Sequence, residues 1–118
     1  MSFTVLQLSP STMESIYPKT PFLYGMGAGT FNKLDALDLL KAGDDGYRPV
    51  AKFNVNTLDE VFEVSNSGRA EHLIERMEPM HSVSGGDIIV DDQEAVWIVA
   101  PDGFDLLAEN LGDVLCSA

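Results

Sequence analysis

The chain has 118 residues, of which 45% are hydrophobic and 22% charged, and its formal net charge is −12 at pH 7. This length and composition fit one globular domain over residues 1–118 and exclude a chain that is disordered throughout. A surface this negative repels nucleic acid and anionic lipid, so direct binding to nucleic acid or to a membrane is not expected.

The acidic charge is concentrated toward the C-terminus. Residues 1–76 hold ten acids and seven bases, whereas residues 77–118 hold nine acids and no base. The single cysteine, Cys116, leaves no intramolecular disulfide to form. The sequence lacks the basic start and apolar run of a signal peptide and any apolar run long enough to span a membrane. We therefore expect a cytoplasmic protein.

The N-terminal part predicts one strand, one loop and one helix. Phe3–Leu8 reads as a short strand that stops at a Ser-Pro pair. Residues 9–29 hold three prolines and three glycines among aromatic residues, which predicts an ordered loop. Asn32 precedes leucines at helical spacing, and Gly43 supplies a C-terminal stop, so a helix is predicted between them.

The middle of the chain predicts a strand and two helices. Residues 50–56 alternate apolar and polar, as a half-buried strand does. Thr57 and Glu60 have the spacing of a capping box, in which hydroxyl and carboxylate satisfy each other's backbone donors, and they open a helix. Apolar residues within 73–77 predict a third short helix that must end before Pro79.

The acidic third of the chain predicts a hairpin. Gly85 and Gly86 allow a tight turn, Ile88–Val90 is the first strand, residues 91–94 form the turn, and residues 95–100 return. The return strand is apolar on both sides, so either both faces of the sheet are covered or Trp97 is exposed for a partner. Another turn follows at 101–103.

The predicted elements amount to an α+β fold: a small, mostly antiparallel sheet with two or three short helices in a single domain. Residues 108–118 are predicted to be a tail with a short helix.

From Tyr47 onward the chain resembles the YodL-like domain family of small bacterial, phage and conjugative-element proteins. The resemblance covers about residues 47–104 of a module that we place at 47–107. The segments that carry it are Tyr47 and Val50, TLDEVFEVSN at 57–66, HSVSGGDIIV at 81–90, and the strand from Trp97 that ends in DGF at Phe104. The resemblance implies a small mixed α/β module without an established catalytic residue, which acts in the bacterial host cytoplasm by contact with host proteins.

Other chemistry has weaker support in the sequence. The Gly-rich segment at 21–30 looks like a phosphate-binding loop, but it lacks the lysine of a P-loop and the full dinucleotide spacing. His72 and His81 match no zinc signature, and the acids near the hairpin lack the spacing of a calcium loop. Cys116 lies too near the terminus to be a well-held nucleophile. We expect no catalytic residue, no metal and no cofactor.

The favoured interpretation is a non-enzymatic phage or mobile-element accessory protein that binds and modulates a bacterial host protein. An acidic face that mimics the charge of DNA would suit a host protein that handles nucleic acid. A small-ligand or nucleotide-binding protein that uses residues 21–30 and a structural virion component are the alternatives, and the oligomeric state is left open. The predicted partner-binding residues are Asp87, Asp91, Asp92, Glu94, Trp97, Asp102, Phe104 and Asp105.

Overall fold

The computed structural model describes residues 2–9, 33–43, 46–67, 70–78, 80, 83, 86–100 and 103–116. Most of the predicted 9–29 loop, including the Gly-rich segment at 21–30, lies outside the described residues, as do His81 and Asp102.

The described residues form a six-stranded sheet in which each pair of neighbours is antiparallel. The order across the sheet is β3-β2-β1-β4-β5-β6, so that β3 and β6 are its edges. The prediction of an α+β fold with an antiparallel sheet is confirmed. The strands are β1 (Phe3–Leu8), β2 (Tyr47–Phe53), β3 (Ile74–Arg76), β4 (Ile88–Val90), β5 (Val96–Ala100) and β6 (Gly103–Ala108).

Three α-helices and a 3-10 turn before β3 accompany the strands in the described part of the chain. They are α1 (Lys33–Lys41), α2 (Leu58–Ser67), α3 (Leu111–Cys116) and the 3-10 turn Glu71–Leu73. One half of the capping box is confirmed, since the Glu60 backbone N–H donates to the Thr57 hydroxyl oxygen over 3.1 Å. The Thr57 hydroxyl in turn donates to the Glu60 carboxylate over 3.4 Å, in place of the predicted bond from the Thr57 backbone N–H. The helix before Gly43 and the short C-terminal helix are confirmed as well.

Both faces of the sheet are buried against helices, which explains why β5 is apolar on its two sides. One core cluster contains α1 and α3 residues, including Ala36, Leu40 and Val114, together with Ile98 of β5. The other contains Val61 of α2 together with strand residues. The strand residues of this second cluster are Phe3, Val5, Val50, Ala51, Phe53, Ile89 and Val99.

A bulge in β2 shifts the alternation of its side chains between the two faces of the sheet. Val5 pairs with Ala51 but Leu6 pairs with Pro49, so Val50 is an extra residue. The strand begins at Tyr47 and ends at Phe53, three residues before the predicted start and the predicted end. Pro49 has no backbone N–H to donate. It is tolerated because β3 pairs only with Ala51 through Phe53, so β3 needs no hydrogen bond from the proline.

Two sequence predictions need correction. The third predicted helix is wrong: residues 71–73 make a single 3-10 turn, and Ile74–Arg76 is the strand β3. Pairing of β3 with β2 supplies backbone partners that the local helical spacing does not anticipate. Strand β6 is an added element, because only a turn before Phe104 is predicted where the chain pairs again with β5.

Candidate protein-binding surface

Asp87 lies in a buried polar cluster and not on the surface. Only 2% of the residue is exposed, and its Oδ2 accepts a hydrogen bond from the Gln7 amide nitrogen over 3.0 Å. Gln7 itself is 3% exposed, and the Asp87 carbonyl accepts the Val99 N–H. Burial of a carboxylate is costly unless it is hydrogen-bonded, so this aspartate has a structural position in the fold. Its predicted role in partner binding is therefore corrected.

Tyr47 belongs to the same buried region. Its hydroxyl donates to the Gly86 carbonyl, next to Asp87, and the side chain is buried. Loss of water around the ring raises the pKa of the Tyr47 hydroxyl well above its usual value, and the negative charge of Asp87 raises it further. The tyrosine therefore stays neutral and acts as a hydrogen-bond donor that ties β2 to the start of β4.

Asp91 organises the turn between β4 and β5. Its Oδ1 accepts the backbone N–H groups of Gln93 and Ala95 over 2.9 and 3.0 Å, and its Oδ2 lies 3.3 Å from the indole nitrogen of Trp97, which donates to it. Glu94 closes the turn with a φ of 66°. A carboxylate that holds a turn in this way has little remaining capacity to bind a partner.

Four exposed acidic residues occupy the β4–β5 turn and the segment 109–113 at the start of α3, and we call them the acidic rim. The Glu94 carbonyl accepts the Leu111 N–H over 2.8 Å, which joins the hairpin turn to the start of α3. Asn110 lies before α3, and its side-chain oxygen accepts the Asp113 N–H over 3.3 Å. The acidic rim consists of Asp92, Glu94, Glu109 and Asp113, all exposed.

An apolar strip crosses β5 and β6 on the α2 side of the sheet. Trp97 and Phe104 are half-buried against the α2-side core. Trp97 pairs directly with Leu106, which places the two side chains on the same face, and Phe104 precedes Leu106 by two residues on the same strand. Leu106 is 40% exposed, so the strip reaches solvent at β6.

Asp105 lies on the other face of β6. It is half-buried and pairs with Ile98, a residue of the α1- and α3-side core. The predicted set of partner-binding residues therefore does not form one surface: Asp87 is buried, Asp91 holds the turn, and Asp105 points away from the apolar strip. Asp92, Glu94, Trp97 and Phe104 remain at or beside the surface.

Sequence reasoning missed three residues that extend this surface, namely Leu106, Glu109 and Asp113. The alternation of Phe104, Asp105 and Leu106 is a period-two signal that could have indicated a strand with an apolar face. The two acids could not be assigned to the rim, since their proximity to the hairpin depends on the contact between Glu94 and Leu111.

A second surface feature is a shallow cleft of about 210 Å³ between α1, β6 and α3. Its lining residues are Leu37, Lys41, Leu107, Ala108, Asp113 and Val114. Among the residues that the structure describes, no group of three or more histidine, cysteine, aspartate or glutamate side chains is placed to hold a metal ion. In the same residues, no helix is long and apolar enough to cross a membrane.

Comparison with known proteins finds no significant match: no family model, no curated protein and no solved structure is similar to this chain.

Proposed function

We propose that this protein is a non-enzymatic binding module that attaches to a basic, nucleic-acid-handling protein of a bacterial host and modulates it. The observation that carries the proposal is an apolar strip on β5 and β6 together with an acidic rim at the Glu94 end of these strands, in a part of the chain without lysine or arginine. The bacterial setting and the role as an accessory protein of a phage or mobile element are part of this proposal and rest on the predicted resemblance to the YodL-like family.

The apolar strip suits the centre of an interface. Protein interfaces are enriched in aromatic and other large apolar side chains at their centre and in polar groups at their periphery. Trp97 and Phe104 supply aromatic surface that the core already holds in place, and Leu106 supplies the exposed end of the strip. Because these side chains lie on paired strands, they lose little conformational freedom when a partner covers them.

The acidic rim indicates the charge of the partner. Residues 77–118 carry nine acids and no base, so an acidic partner would be repelled and a basic one attracted. Proteins that grip DNA or RNA present lysine and arginine to phosphates, and counterion release makes such contacts depend strongly on salt. An acidic surface that occupies those side chains would compete with nucleic acid for the same protein.

A pull-down from bacterial lysate, eluted in rising salt and read by mass spectrometry, tests the proposal. We expect the wild-type chain to retain a nucleic-acid-handling protein that leaves at moderate salt. A rim variant should lose that protein, whereas a control variant with the same loss of charge elsewhere should keep it. The rim variant is D92N, E94Q, E109Q and D113N; the control is D38N, D59N, E63Q and E75Q, all at exposed positions.

An equal loss of the partner from the rim and control variants would contradict the proposal, since total charge and not the rim would then be responsible. Full retention by the rim variant would contradict it as well. An intact fold in both variants, shown by unchanged thermal melting, is the necessary companion measurement. Competition by double-stranded DNA for the captured protein is expected if the acidic rim occupies a nucleic-acid site.

Trp97→Ala separates a core role from an anchor role for the indole. Since the side chain is half-buried and donates to Asp91, we expect a loss of about 3 kcal/mol in the free energy of unfolding. Such a loss identifies Trp97 as a support for the strip, and leaves Leu106 as the residue that meets the partner. A variant that melts normally but loses binding would instead make Trp97 the direct anchor.

The two other function classes make different predictions. A nucleotide-binding protein would show a raised melting temperature with at least one member of a nucleotide panel, and we expect none. A structural virion component would form a symmetric homo-oligomer in solution, which light scattering would detect.

A further inference from the structure

The two edges of the sheet differ in how they are protected against strand pairing. The edge strand β3 has only three residues, and two of them, Glu75 and Arg76, are charged and exposed. Arg76 also forms an ion pair with Glu71, with one nitrogen–oxygen distance of 2.6 Å. Short length and charge are the usual means by which natural proteins block the edge of a sheet.

The edge strand β6 is longer and less charged, and its protection consists of a bulge and the half-buried Asp105. It has six residues, GFDLLA, with one charged side chain and neither lysine nor proline. Within the described residues it pairs with β5 alone. The bulge at the Val96 end adds Leu107 as an extra residue, so the regular part of the edge is Gly103 through Leu106. An apolar edge of this length can accept another strand.

The negative charge near β6 determines which side chains an added strand should have. A second copy of this chain would bring a second net charge of −12 to the same edge, and its own acidic rim with it. An extended segment that alternates apolar and basic residues fits better. Its apolar side chains would continue the strip beyond Phe104 and Leu106. Its basic side chains would lie on the side of Asp105 and α3, where Asp113 and Lys41 both line the cleft beside Leu107.

We infer that β6 accepts an extended basic segment of the partner as a seventh strand, with Phe104 and Leu106 as its apolar contact and the acidic rim as its charge complement. This inference rests on the proposed function and specifies how the partner is held. Main-chain hydrogen bonds to β6 would supply affinity, and the alternation of side chains would supply specificity.

The test uses two synthetic peptides and amide hydrogen exchange. One peptide alternates valine and lysine; the other has the same length and number of lysines, but proline replaces every valine, which removes the backbone donors of those positions. We expect the valine peptide to slow amide exchange within Gly103–Ala108 and to bind at least about tenfold more tightly than the proline peptide. Equal affinity of the two peptides, or unchanged exchange in β6, would overturn strand addition.

Two variants sharpen the result. Leu106→Lys places a charge in the strip on β6, and Met77→Lys places the same charge beside β3, at a residue that is 51% exposed. Only Leu106→Lys should weaken binding of the valine peptide, again by at least about tenfold. Equal weakening by both would overturn the inference, because it would assign the effect to net charge.

The outcome is distinguishable from failure of the proposed function. If the lysate partner is captured through the acidic rim while β6 amides exchange as before and Leu106→Lys still captures it, the proposed function stands and strand addition is wrong. If the rim variant captures the partner as well as wild type does, the proposed function is wrong. A dimer in solution that Leu106→Lys dissociates would also overturn the inference, since a second copy would then occupy the edge.

Discussion

Asp87 and Asp91 flank the same three-residue strand, β4, and yet they have different environments. Asp87 is enclosed between β1 and β5, where Gln7 donates to it from a residue 80 positions earlier in the chain. Asp91 is half-buried in a turn, where it accepts bonds from groups two to six residues later. One carboxylate joins distant strands and the other shapes its own hairpin.

This difference shows why a run of acids is not equivalent to an acidic surface. Of the carboxylates in the hairpin region, Asp87 and Asp91 are engaged by donors within the fold, whereas Asp92 and Glu94 are exposed. The Glu94 carboxylate accepts one long hydrogen bond, of 3.5 Å, from the Asn110 side-chain amide. A partner would therefore meet the rim and not the two aspartates that flank β4. Substitution of the buried, the turn and the exposed aspartate should therefore change the free energy of unfolding by decreasing amounts.

Among the aspartates that flank or follow β4, the largest effect on stability is expected for Asp87→Ala. Removal of the carboxylate leaves the buried Gln7 amide without this acceptor, so the free energy of unfolding should fall by about 2–3 kcal/mol. Urea denaturation measures the loss. Asp87→Asn is the matched variant, since it retains a side-chain oxygen and should lose less.

An unchanged or increased stability of Asp87→Ala would contradict this prediction. It would mean that the free-energy cost of burying the charge is as large as the stabilisation from its hydrogen bonds, as is found for some buried ionic groups.

A smaller loss is expected for Asp91→Ala. The substitution removes the acceptor of two turn N–H groups and of the Trp97 indole, but the turn N–H groups can bond to water, so we expect a loss of about 1–2 kcal/mol. Amide exchange should rise at Gln93 and Ala95 more than at Val99, whose N–H donates to the Asp87 carbonyl. A uniform rise across β5 would show that the aspartate supports the whole strand.

Local signals made part of this fold predictable. The strand at Phe3–Leu8, the turn at 91–94 and the Thr57 cap of α2 depend on residues close together in sequence, and the structure confirms each of them. The bonds that Asp91 makes are of the same local kind, so a turn aspartate could have been proposed for it.

Features that depend on distant pairing were not predictable. The burial of Asp87 requires Gln7 from β1, and the strand character of Ile74–Arg76 requires β2 as a neighbour. The same limit applies to the candidate site. Leu106 becomes part of an apolar strip only when β6 pairs with β5, and a single sequence does not give that register.

The buried cluster also predicts a dependence on alkaline pH. The pKa of Tyr47 is raised in the folded state by burial and by Asp87. The neutral tyrosine therefore contributes fully to the free energy of unfolding at any pH below the ordinary tyrosine pKa of about 10. As pH rises above that value, the unfolded chain loses the proton first and the contribution is lost. Wild-type stability should therefore fall more steeply than that of Tyr47→Phe, by up to about 1.4 kcal/mol per pH unit.

Denaturant unfolding of both proteins between pH 9 and 11 measures this difference, and the comparison cancels the titration of all other groups. In Asp87→Asn the difference should shrink, because the charge that raises the pKa of Tyr47 is gone. Parallel stability curves for wild type and Tyr47→Phe would contradict the assignment.

The smallest effect on stability is expected for Asp92→Asn, at the exposed tip of the same hairpin. A surface substitution away from caps and networks changes the free energy of unfolding by no more than about 0.5 kcal/mol. Partner binding should nonetheless weaken, and the weakening should diminish as salt is raised, because exposed charges are screened. If Asp92→Asn loses as much stability as Asp91→Ala, Asp92 belongs to the hydrogen bonds of the turn and not to the acidic rim. A stable variant with weaker, salt-dependent binding would show that, of the acids around β4, the exposed one meets the partner while the buried and turn carboxylates hold the fold.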